Sequence, residues 1–269
     1  MIYRAALVTG GARRLGRAMV LALAERGVDV AVHYAGSAQE AEETVAEAQA
    51  LGVKAVALQA DLLDRDDTLG LIPRAAAALG QPLDVLVNNA SVFEYDTLET
   101  ATVEGWDRHI NSNLRAPLFL TQAFAEQAPE ARKVENGEMI ATSAVINMVD
   151  QRVRKLTPEF MTYTLAKMGL WAFTQTAARG LAPAVRVNAI GPGPTMIGER
   201  QSDSHFANQR QNTVLQRGSN PEEIVAAMNY LLDSPATTGQ LLCVDGGQHL
   251  GWQTPDIQGF AGAIGTESG

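Results

Sequence analysis

The sequence predicts a single-domain α/β fold, with a doubly wound parallel sheet of seven strands and helices on both faces. Short β-branched apolar runs alternate with longer amphipathic runs rich in Ala, Leu and Glu, which is the pattern of βα units. With 269 residues, the chain is long enough to bury one sizeable core. Its hydrophobic fraction of 46% and charged fraction of 19% are ordinary for a globular protein.

The predicted elements follow one another along the whole chain. Strands are predicted where apolar β-branched residues run together, at 4–9, 28–34, 53–59, 83–88, 137–149, 184–190 and 240–244. Helices are predicted where apolar residues recur with helical spacing, at 15–26, 37–51, 64–79, 99–130 with a break, 162–182 and 221–233. Pro221 opens the last helix, and Ser219 or Asn220 is its expected cap.

Two segments lack a regular pattern. Residues 192–220 contain two Pro, three Gly and many polar residues, and they follow the sixth predicted strand. Because ligands approach the carboxyl ends of parallel strands, we interpret this segment as a substrate loop that acts as a lid, with a plain surface loop as the alternative. The folded domain is expected to span 1–250. The Gly-rich tail 251–269 either caps a neighbouring site or is loosely ordered.

Charge and cysteine content narrow the partners and the compartment. A net charge of -9 and the absence of a Lys/Arg cluster argue against nucleic acid as a partner. The N-terminus does not resemble a signal peptide, and no apolar stretch is long enough to span a membrane. Cys243 is the single cysteine, so a reducing cytoplasm is expected. No metal site is predicted, because the four histidines are widely scattered, at His33, His109, His205 and His249.

A glycine turn connects the first strand to the first helix. The run Thr9-Gly10-Gly11-Ala12-Arg13-Arg14-Leu15-Gly16 has the context of a diphosphate cradle in a Rossmann-type fold, where backbone N–H groups and the helix N-terminus attract the anion. The second strand ends in His33-Tyr34-Ala35-Gly36-Ser37, without the acid that would bind a ribose 2′-hydroxyl. NADP(H) is therefore favoured over NAD(H).

Several side chains near this turn have two interpretations. Arg13, Ser37 and His33 can donate to a 2′-phosphate, but His33 can equally be a buried residue at the end of its strand. Asp61 can accept from the adenine amino group, cap the following helix, or do both.

A tyrosine and a lysine four residues apart suggest acid–base chemistry. In a helix, Tyr163 and Lys167 share one face, and the ammonium group is expected to lower the pKa of the phenol. Asp150 lies thirteen residues before Tyr163. A carboxylate there would repel the alkoxide that forms from a ketone. A protonated Asp150, or one that accepts from a ring N–H, suits a C=N bond in a nitrogen heterocycle.

Together these motifs resemble the short-chain dehydrogenase/reductase family, over residues 2 to about 250. The resemblance rests on the glycine turn, the run Asn88-Asn89-Ala90-Ser91, Asn113, the Tyr163 and Lys167 pair, and Gly191-Pro192-Gly193. Arg14 in the turn, Ser91 followed by Phe93, and Asp150 resemble the pteridine reductases and bacterial dihydromonapterin reductases. The sequence departs from the pteridine reductase pattern at Gly36, where the trypanosomatid enzymes carry an arginine.

The resemblance implies roles for individual residues. Tyr163 is the proton donor, Lys167 lowers its pKa and holds the nicotinamide ribose, Asn113 supports a water relay through a carbonyl, and Asp150 assists proton delivery. Residues 1–250 form the NADP-binding domain, and the implied cofactor contacts are Gly10, Arg13, Arg14, Leu15, Gly16, His33, Tyr34, Ser37, Asp61, Leu62, Asn89, Ala90, Ser91, Tyr163, Lys167, Pro192, Gly193 and Thr195. The implied substrate contacts are Arg14, Ser91, Phe93, Asp150 and Tyr163.

Phe93 and Arg14 also have structural alternatives. Phe93 is expected to sandwich a flat pterin against the nicotinamide, and the alternative is a core phenylalanine. Arg14 is expected over the diphosphate, within reach of the substrate, and the alternative is a solvent-facing side chain. The resemblance further implies a homotetramer.

The predicted function is NADPH-dependent reduction of a dihydropterin, such as dihydromonapterin or dihydrobiopterin, with dihydrofolate as a possible second substrate. The alternative enzyme is a carbonyl reductase that acts on a ketone, a 3-oxoacyl thioester or a sugar. A third hypothesis is a regulatory protein that senses the dinucleotide without turnover, although sensing does not require the proton donor Tyr163.

Overall fold

The computed structural model describes residues 3–197 and 202–252. Its strands are β1 (Ala5–Val8), β2 (Asp29–Tyr34), β3 (Ala55–Gln59), β4 (Val85–Asn88), β5 (Arg132–Lys133), β6 (Met139–Ile140), β7 (Ser143–Met148), β8 (Val185–Pro192) and β9 (Leu241–Val244). Seven of them form one parallel sheet in the order β3-β2-β1-β4-β7-β8-β9. The short strands β5 and β6 pair with each other as an antiparallel hairpin.

Helices cover both faces of the sheet. They are α1 (Arg14–Glu25), α2 (Ala38–Ala50), α3 (Arg65–Leu79), α4 (Val103–Ile110), α5 (Ala116–Gln127), α6 (Met161–Gly180), α7 (Asp203–Gln211) and α8 (Pro221–Asp233). One apolar layer joins the sheet to α1, α2 and α8, and the other joins it to α3, α5 and α6. The predicted doubly wound sheet with helices on both faces is therefore confirmed.

The strand order places the functional segments at one edge. From β1 the chain adds β2 and β3 on one side of the sheet and then crosses to the other side with β4. Strands β1 and β4 are therefore neighbours, and Ala6 pairs with Val85. The turn after β1 and the loop after β4 therefore leave the sheet side by side, at its carboxyl edge. Such a switch point is where open parallel sheets bind ligands.

Several element boundaries differ from the prediction. The single strand predicted at 137–149 is a two-residue strand, β6, followed by β7, and β8 extends to Pro192. The helix predicted at 99–130 contains α4, a π-helical segment at Asn111–Arg115 and α5. The loop 192–220 includes a nine-residue helix, α7, so it is not wholly irregular.

The cap of the last helix was predicted in part. Asn220 forms a capping box with Glu223, as one of the two predicted caps. Ser219 instead bonds Thr195 through their hydroxyl groups, which are 2.6 Å apart. The predicted tail 251–269 lies outside the described residues from 253 onward. None of the helices in the described ranges is both long and apolar enough to cross a membrane.

Candidate active site

The glycine turn is fixed to the end of β4 by a network of hydrogen bonds. The side-chain amide of Asn89 donates to the carbonyls of Thr9 and Gly10, at 2.9 and 3.1 Å. The Thr9 hydroxyl accepts from the N–H groups of Asn89 and Ala90, at 2.9 and 3.0 Å. Asn89 and Ala90, two predicted cofactor contacts, therefore lie directly against the turn.

The turn is built for an anion. A Cβ atom on Gly16 would lie 1.9 Å from the carbonyl oxygen of Gly10, so only glycine fits at that position. Helix α1 starts beside it, with no side-chain cap at Arg13 and no acidic residue in the first turn. Its first N–H groups and its dipole therefore favour a bound phosphate, and the turn fits the diphosphate of a dinucleotide.

His33 supports the turn from inside the protein. Its side chain is buried, Nδ1 accepts from the Gly10 N–H at 3.0 Å, and Nε2 donates to the Ala60 carbonyl at 3.1 Å. Burial lowers the pKa of the His33 imidazole to about 4, so the ring is neutral. The structure matches the interpretation of a buried strand-end histidine, and the predicted phosphate contact through His33 is wrong because both ring nitrogens have protein partners.

The end of β2 carries no carboxylate side chain. Tyr34 and Ser37 lie on either side of the exposed Gly36, and Ser37 begins α2 without a side-chain cap bond, so its hydroxyl is not used by the helix. Polar groups with no carboxylate beside them favour binding of the 2′-phosphate of NADP(H).

Asp61 does not cap the next helix. Its Oδ1 accepts from the Leu63 N–H at 2.9 Å, whereas Asp64 caps α3 by accepting from the N–H groups of Asp66 and Asp67. The prediction that Asp61 caps this helix is therefore wrong, and the cap lies three residues later, at Asp64. Leu62, next to it, is buried.

Arg14 connects the turn to the substrate loop. Its backbone adopts φ 55°, a left-handed conformation that is uncommon for a residue with a Cβ atom. Its guanidinium donates to the carbonyls of Ile197 and Met196, at 2.8 and 3.3 Å. The side chain is exposed but it does not simply face solvent, because it ties the predicted lid to the helix start.

The start of this loop is packed tightly against the end of the sheet. A Cβ atom on Gly193 would lie 2.6 Å from the Cα of Asp245, so the backbones approach too closely for a side chain. Thr195 is buried and its hydroxyl donates to the Gly193 carbonyl at 3.0 Å. Pro192, which directly precedes Gly193, is the last residue of β8.

Asp150 and Tyr163 are brought together, as the sequence spacing suggested. The Tyr163 hydroxyl donates to Asp150 Oδ2 at 2.9 Å, and Asp150 Oδ1 accepts from the Arg152 N–H at 2.8 Å. Tyr163 is buried and lies in the first turn of α6, while Asp150 lies two residues after the end of β7. The carboxyl therefore points into the cleft towards the phenol.

Burial shifts the pKa values of all three ionisable groups. It raises the pKa of the Asp150 carboxyl, which favours the neutral acid. Burial, reinforced by Asp150, raises the pKa of the Tyr163 phenol well above 10. Burial lowers the pKa of the Lys167 ammonium to about 8. The prediction that Lys167 lowers the pKa of the phenol is therefore wrong for this arrangement.

Lys167 is bound to the last residue of β7. Its Nζ donates to the Met148 carbonyl at 2.8 Å and lies 5.6 Å from the centroid of the Tyr163 ring. The two residues do share one face of α6, as their spacing predicts.

Asn113 positions the loop after β4. It is buried in the π-helical segment, its Oδ1 accepts from the Val92 N–H at 3.0 Å, and its Nδ2 donates to the Val92 carbonyl at 2.8 Å. Both ends of the side-chain amide are thus used to hold Ser91 and Phe93 on either side of Val92. A π-helical turn is often found at functional sites.

Phe93 lies at the mouth of the site. More than half of its side chain, 53%, is exposed, so the core alternative is wrong. Its ring packs edge-to-face with the Tyr163 ring, with centroids 4.7 Å apart, and stacks on Phe160. Phe160 was not predicted, although it lies three residues before Tyr163, a spacing that would place both on one side of a helix.

A hydrogen-bond chain that the sequence analysis did not identify holds the start of α6. The Glu94 N–H donates to His109 Nε2 at 3.1 Å, so Nδ1 carries the proton and donates to the Thr162 hydroxyl at 2.7 Å. That hydroxyl in turn donates to the Asp96 carboxylate. Asp96 also accepts from the Thr162 N–H, and all three side chains are buried. These hydrogen bonds join the Phe93 loop to the helix that carries Tyr163.

Comparison with known proteins agrees with this geometry. A family model described as enoyl-(acyl carrier protein) reductase matches residues 10–249. The 3-oxoacyl-(acyl-carrier-protein) reductase FabG of Staphylococcus aureus is 33% identical over 252 residues, covering 92% of this chain and 98% of the relative. A reductase of the same name from Synechocystis is 35% identical, covering 90% of this chain and 95% of the relative.

Solved structures are also similar over nearly the whole chain. FolM alternative dihydrofolate reductase 1 from Brucella canis, complexed with NADP, is 40% identical with a TM-score of 0.87, covering 95% of this chain and 98% of that one. A short-chain dehydrogenase from Burkholderia cenocepacia, in complex with NADP, is 31% identical with a TM-score of 0.82, covering 91% and 97%. The chain therefore belongs to the short-chain dehydrogenase/reductase family.

Proposed function

We propose that this protein reduces the C=N bond of a dihydropterin to give the tetrahydropterin, with NADPH as the reductant. Membership of the family makes it an NADP(H)-dependent oxidoreductase rather than a sensor without turnover. The observation that carries the pterin assignment is the bond between Asp150 and Tyr163. It is supported by the 40% identity with FolM alternative dihydrofolate reductase 1.

The neutral form of Asp150 can replace the proton that Tyr163 gives to the substrate nitrogen. A phenol whose pKa lies well above 10 is a weak acid by itself. When Tyr163 gives its proton to the substrate nitrogen, protonated Asp150 can replace it across their 2.9 Å hydrogen bond. Asp150 is partly exposed, so it regains a proton from solvent.

The remaining groups orient the reactants. Bound NADPH would supply the hydride to a ring carbon of the substrate. The glycine turn and Ser37 would hold its phosphates, and Lys167 would hold its nicotinamide ribose. The exposed ring of Phe93 would stack on the pterin, while Ser91 and Arg14 would contact its polar edge.

A carbonyl reductase is the second candidate. The relatives at 33% and 35% identity are named as 3-oxoacyl-(acyl-carrier-protein) reductases. A 3-oxoacyl group becomes an alkoxide during reduction; neutral Asp150 would tolerate that charge, but the ionised form, populated above the raised pKa of Asp150, would repel it. The carboxyl next to the phenol therefore favours the pterin.

A substrate panel separates the two candidates. Purified full-length protein would be given dihydromonapterin, dihydrobiopterin, dihydrofolate, a 3-oxoacyl thioester and a simple ketone, each with NADPH and with NADH. We expect kcat/KM for the best dihydropterin to exceed that for the thioester by about 100-fold. In Asp150→Ser, this preference should decrease because pterin reduction slows. A thioester preference in the wild type, unchanged in Asp150→Ser, would contradict the proposal.

Compartment, assembly and domain limits are part of the same proposal. The single cysteine, Cys243, supports a reducing cytoplasm. The family resemblance supports a homotetramer, and light scattering on the purified protein would measure its mass. The reductase domain is assigned to 1–250 and the tail to 251–269.

A further inference from the structure

An aromatic ring and a cation outside the predicted site are stacked at its mouth. The Phe160 ring lies parallel to the Phe93 ring, with centroids 4.5 Å apart and planes inclined by 5°. The guanidinium carbon of Arg152 lies 4.7 Å from the Phe160 centroid. Arg152 is itself fixed, because its Nη1 donates to the Thr157 hydroxyl at 2.8 Å. Phe160 therefore contacts a cation and two further rings, because Tyr95 also packs against it edge-to-face with centroids 5.1 Å apart.

The backbone of Phe160 is in a conformation that favours glycine. Its φ of 53° and ψ of 47° are left-handed, immediately before α6. The conformation is held because the Phe160 N–H donates to the Asp96 carbonyl and its own carbonyl accepts from the Thr164 N–H, both at 2.8 Å. Glycine would adopt this backbone without strain. The contacts of the phenyl ring therefore compensate for the strained backbone.

What the ring supports is the orientation of Phe93. Phe93 lies in an irregular loop with 53% of its side chain exposed, so its rotamer is not fixed by a core. Two contacts fix it instead, the parallel stack on Phe160 and the edge-to-face contact with Tyr163. Without Phe160, only the edge-to-face contact with Tyr163 would hold the Phe93 ring.

We propose that Phe160 is a specificity-determining residue that holds Phe93 as a rigid platform for a flat heteroaromatic ring. The inference rests on the proposed function. A flat ring gains from a platform that is already oriented, because no side-chain entropy is lost on binding. A flexible acyl chain gains little from it. Phe160 thus selects flat-ring substrates over 3-oxoacyl substrates without touching the reacting atoms.

Three substitutions at this position separate the ring from the backbone. Phe160→Leu removes the aromatic stack, Phe160→Gly removes the side chain but relieves the left-handed backbone, and Phe160→Tyr retains the ring. We expect Leu and Gly to raise KM for the dihydropterin by about three- to tenfold, which is the range of one aromatic contact. We expect KM for a 3-oxoacyl thioester to change by less than about twofold, and Tyr to behave as the wild type.

Protein stability provides the second measurement. The urea midpoint of Phe160→Gly should be at least as high as that of Phe160→Leu, because glycine fits the backbone. Tyr230→Leu, a change of an exposed ring on α8, is the matched control and should leave both KM values unchanged. An unchanged ratio of the two KM values in Leu and Gly would overturn the proposal. A fall in the dihydropterin KM would also overturn it, since Phe160 would then compete with the substrate ring.

Binding of a non-reacting pterin separates this inference from the proposed function. Failure of the wild type to reduce any dihydropterin would refute the proposed function. The dissociation constant of oxidised biopterin, followed by quenching of its fluorescence, still reports on the platform. It should rise by about three- to tenfold in Phe160→Leu, and an unchanged value would refute the role of Phe160 alone.

Discussion

At the scale of single residues, the proposed proton transfer from Tyr163 depends on the protonation of Asp150. A carboxyl that resupplies a proton must be protonated, so the rate should be high below the raised pKa of Asp150 and should fall as the pH rises through it. Asp150→Asn cannot ionise, so this decrease should disappear and leave only the loss through the Lys167 pKa, which is about 8 in the wild type and should be lower without the Asp150 carboxylate.

The measurement is kcat/KM for the dihydropterin from about pH 5 to pH 9. The amide cannot resupply a proton, so Asp150→Asn should be about 100-fold slower than the wild type at its optimum. A profile with the same pH dependence in both proteins would show that Asp150 is not the titrating group.

His33 should make the fold sensitive to acid. Its pKa is about 4 in the folded protein and 6.5 in the unfolded chain, so only the unfolded chain takes up a proton between these values. Stability should therefore fall as the pH drops from 6.5 to 4, by about 3 kcal/mol, since each pKa unit is worth about 1.4 kcal/mol.

Urea unfolding at neutral and at acidic pH measures this loss, with His33→Gln as the control. Glutamine can still accept from the Gly10 N–H but it does not titrate. Its stability should therefore depend less steeply on pH than that of the wild type, and equal slopes would be the contrary outcome.

The sequence identified residues whose chemistry is local. The helical spacing of Tyr163 and Lys167, and a carboxyl at Asp150 thirteen residues before Tyr163, were enough to select these three residues as candidates. The pKa direction of Tyr163 was missed, because burial depends on contacts made far along the chain. His33 was ambiguous for the same reason, since its partner Ala60 lies 27 residues away.

At the scale of elements, the N-terminus of α6 depends on a residue from another segment. Phe160, at the N-cap position, offers no side-chain bond, and Asp96 accepts from the Thr162 N–H and hydroxyl instead. Asp96→Ala should therefore lower the free energy of unfolding by about 1–2 kcal/mol, the range for a lost cap. It should also lower kcat, because α6 carries Tyr163.

The matched control is Asp64→Ala, which removes the cap of α3. It should cost similar stability while kcat at saturating NADPH stays unchanged, and urea unfolding with steady-state kinetics measures both variants. Equal losses of kcat in the two variants would indicate a general loss of folded protein rather than misplacement of α6.

Element types were predictable, whereas certain boundaries were not. The strands between 4 and 88 were identified because buried parallel strands are nearly all apolar. The split of 137–149 was missed because the hairpin of β5 and β6 depends on pairing with Arg132 and Lys133, which have no strand-like pattern. The π-helical segment was seen only as a break, since one extra residue leaves little trace in apolar spacing.

At the scale of the whole molecule, cofactor binding should be visible as stability. A ligand at about 100 times its dissociation constant adds about 2.7 kcal/mol to the folded state. NADPH should therefore raise the unfolding midpoint more than NADH does at equal concentration, because no carboxylate at the end of β2 repels a 2′-phosphate. Thermal unfolding with each nucleotide measures the difference.

Ser37→Asp tests the cause of that preference. The new carboxylate should reduce the midpoint shift given by NADPH more than that given by NADH, since only the former carries the extra phosphate. An identical effect of both nucleotides on the wild type would contradict the predicted selectivity.

The global topology followed from the sequence because alternating strands and helices permit few arrangements. What the sequence did not contain was the closeness of segments such as the Phe93 loop and the start of α6. Phe160 became meaningful only when the fold placed its ring on Phe93.

The π-helical segment at Asn111–Arg115 also limits where residues can be inserted or deleted during evolution. It gives the helix one residue more per turn than a regular α-helix, and each residue of an α-helix advances by about 100°. Loss of that residue would turn α4 about its axis relative to α5 and carry His109 away from Thr162. Insertions and deletions among natural relatives are therefore expected in the flanking loops and not within this helix.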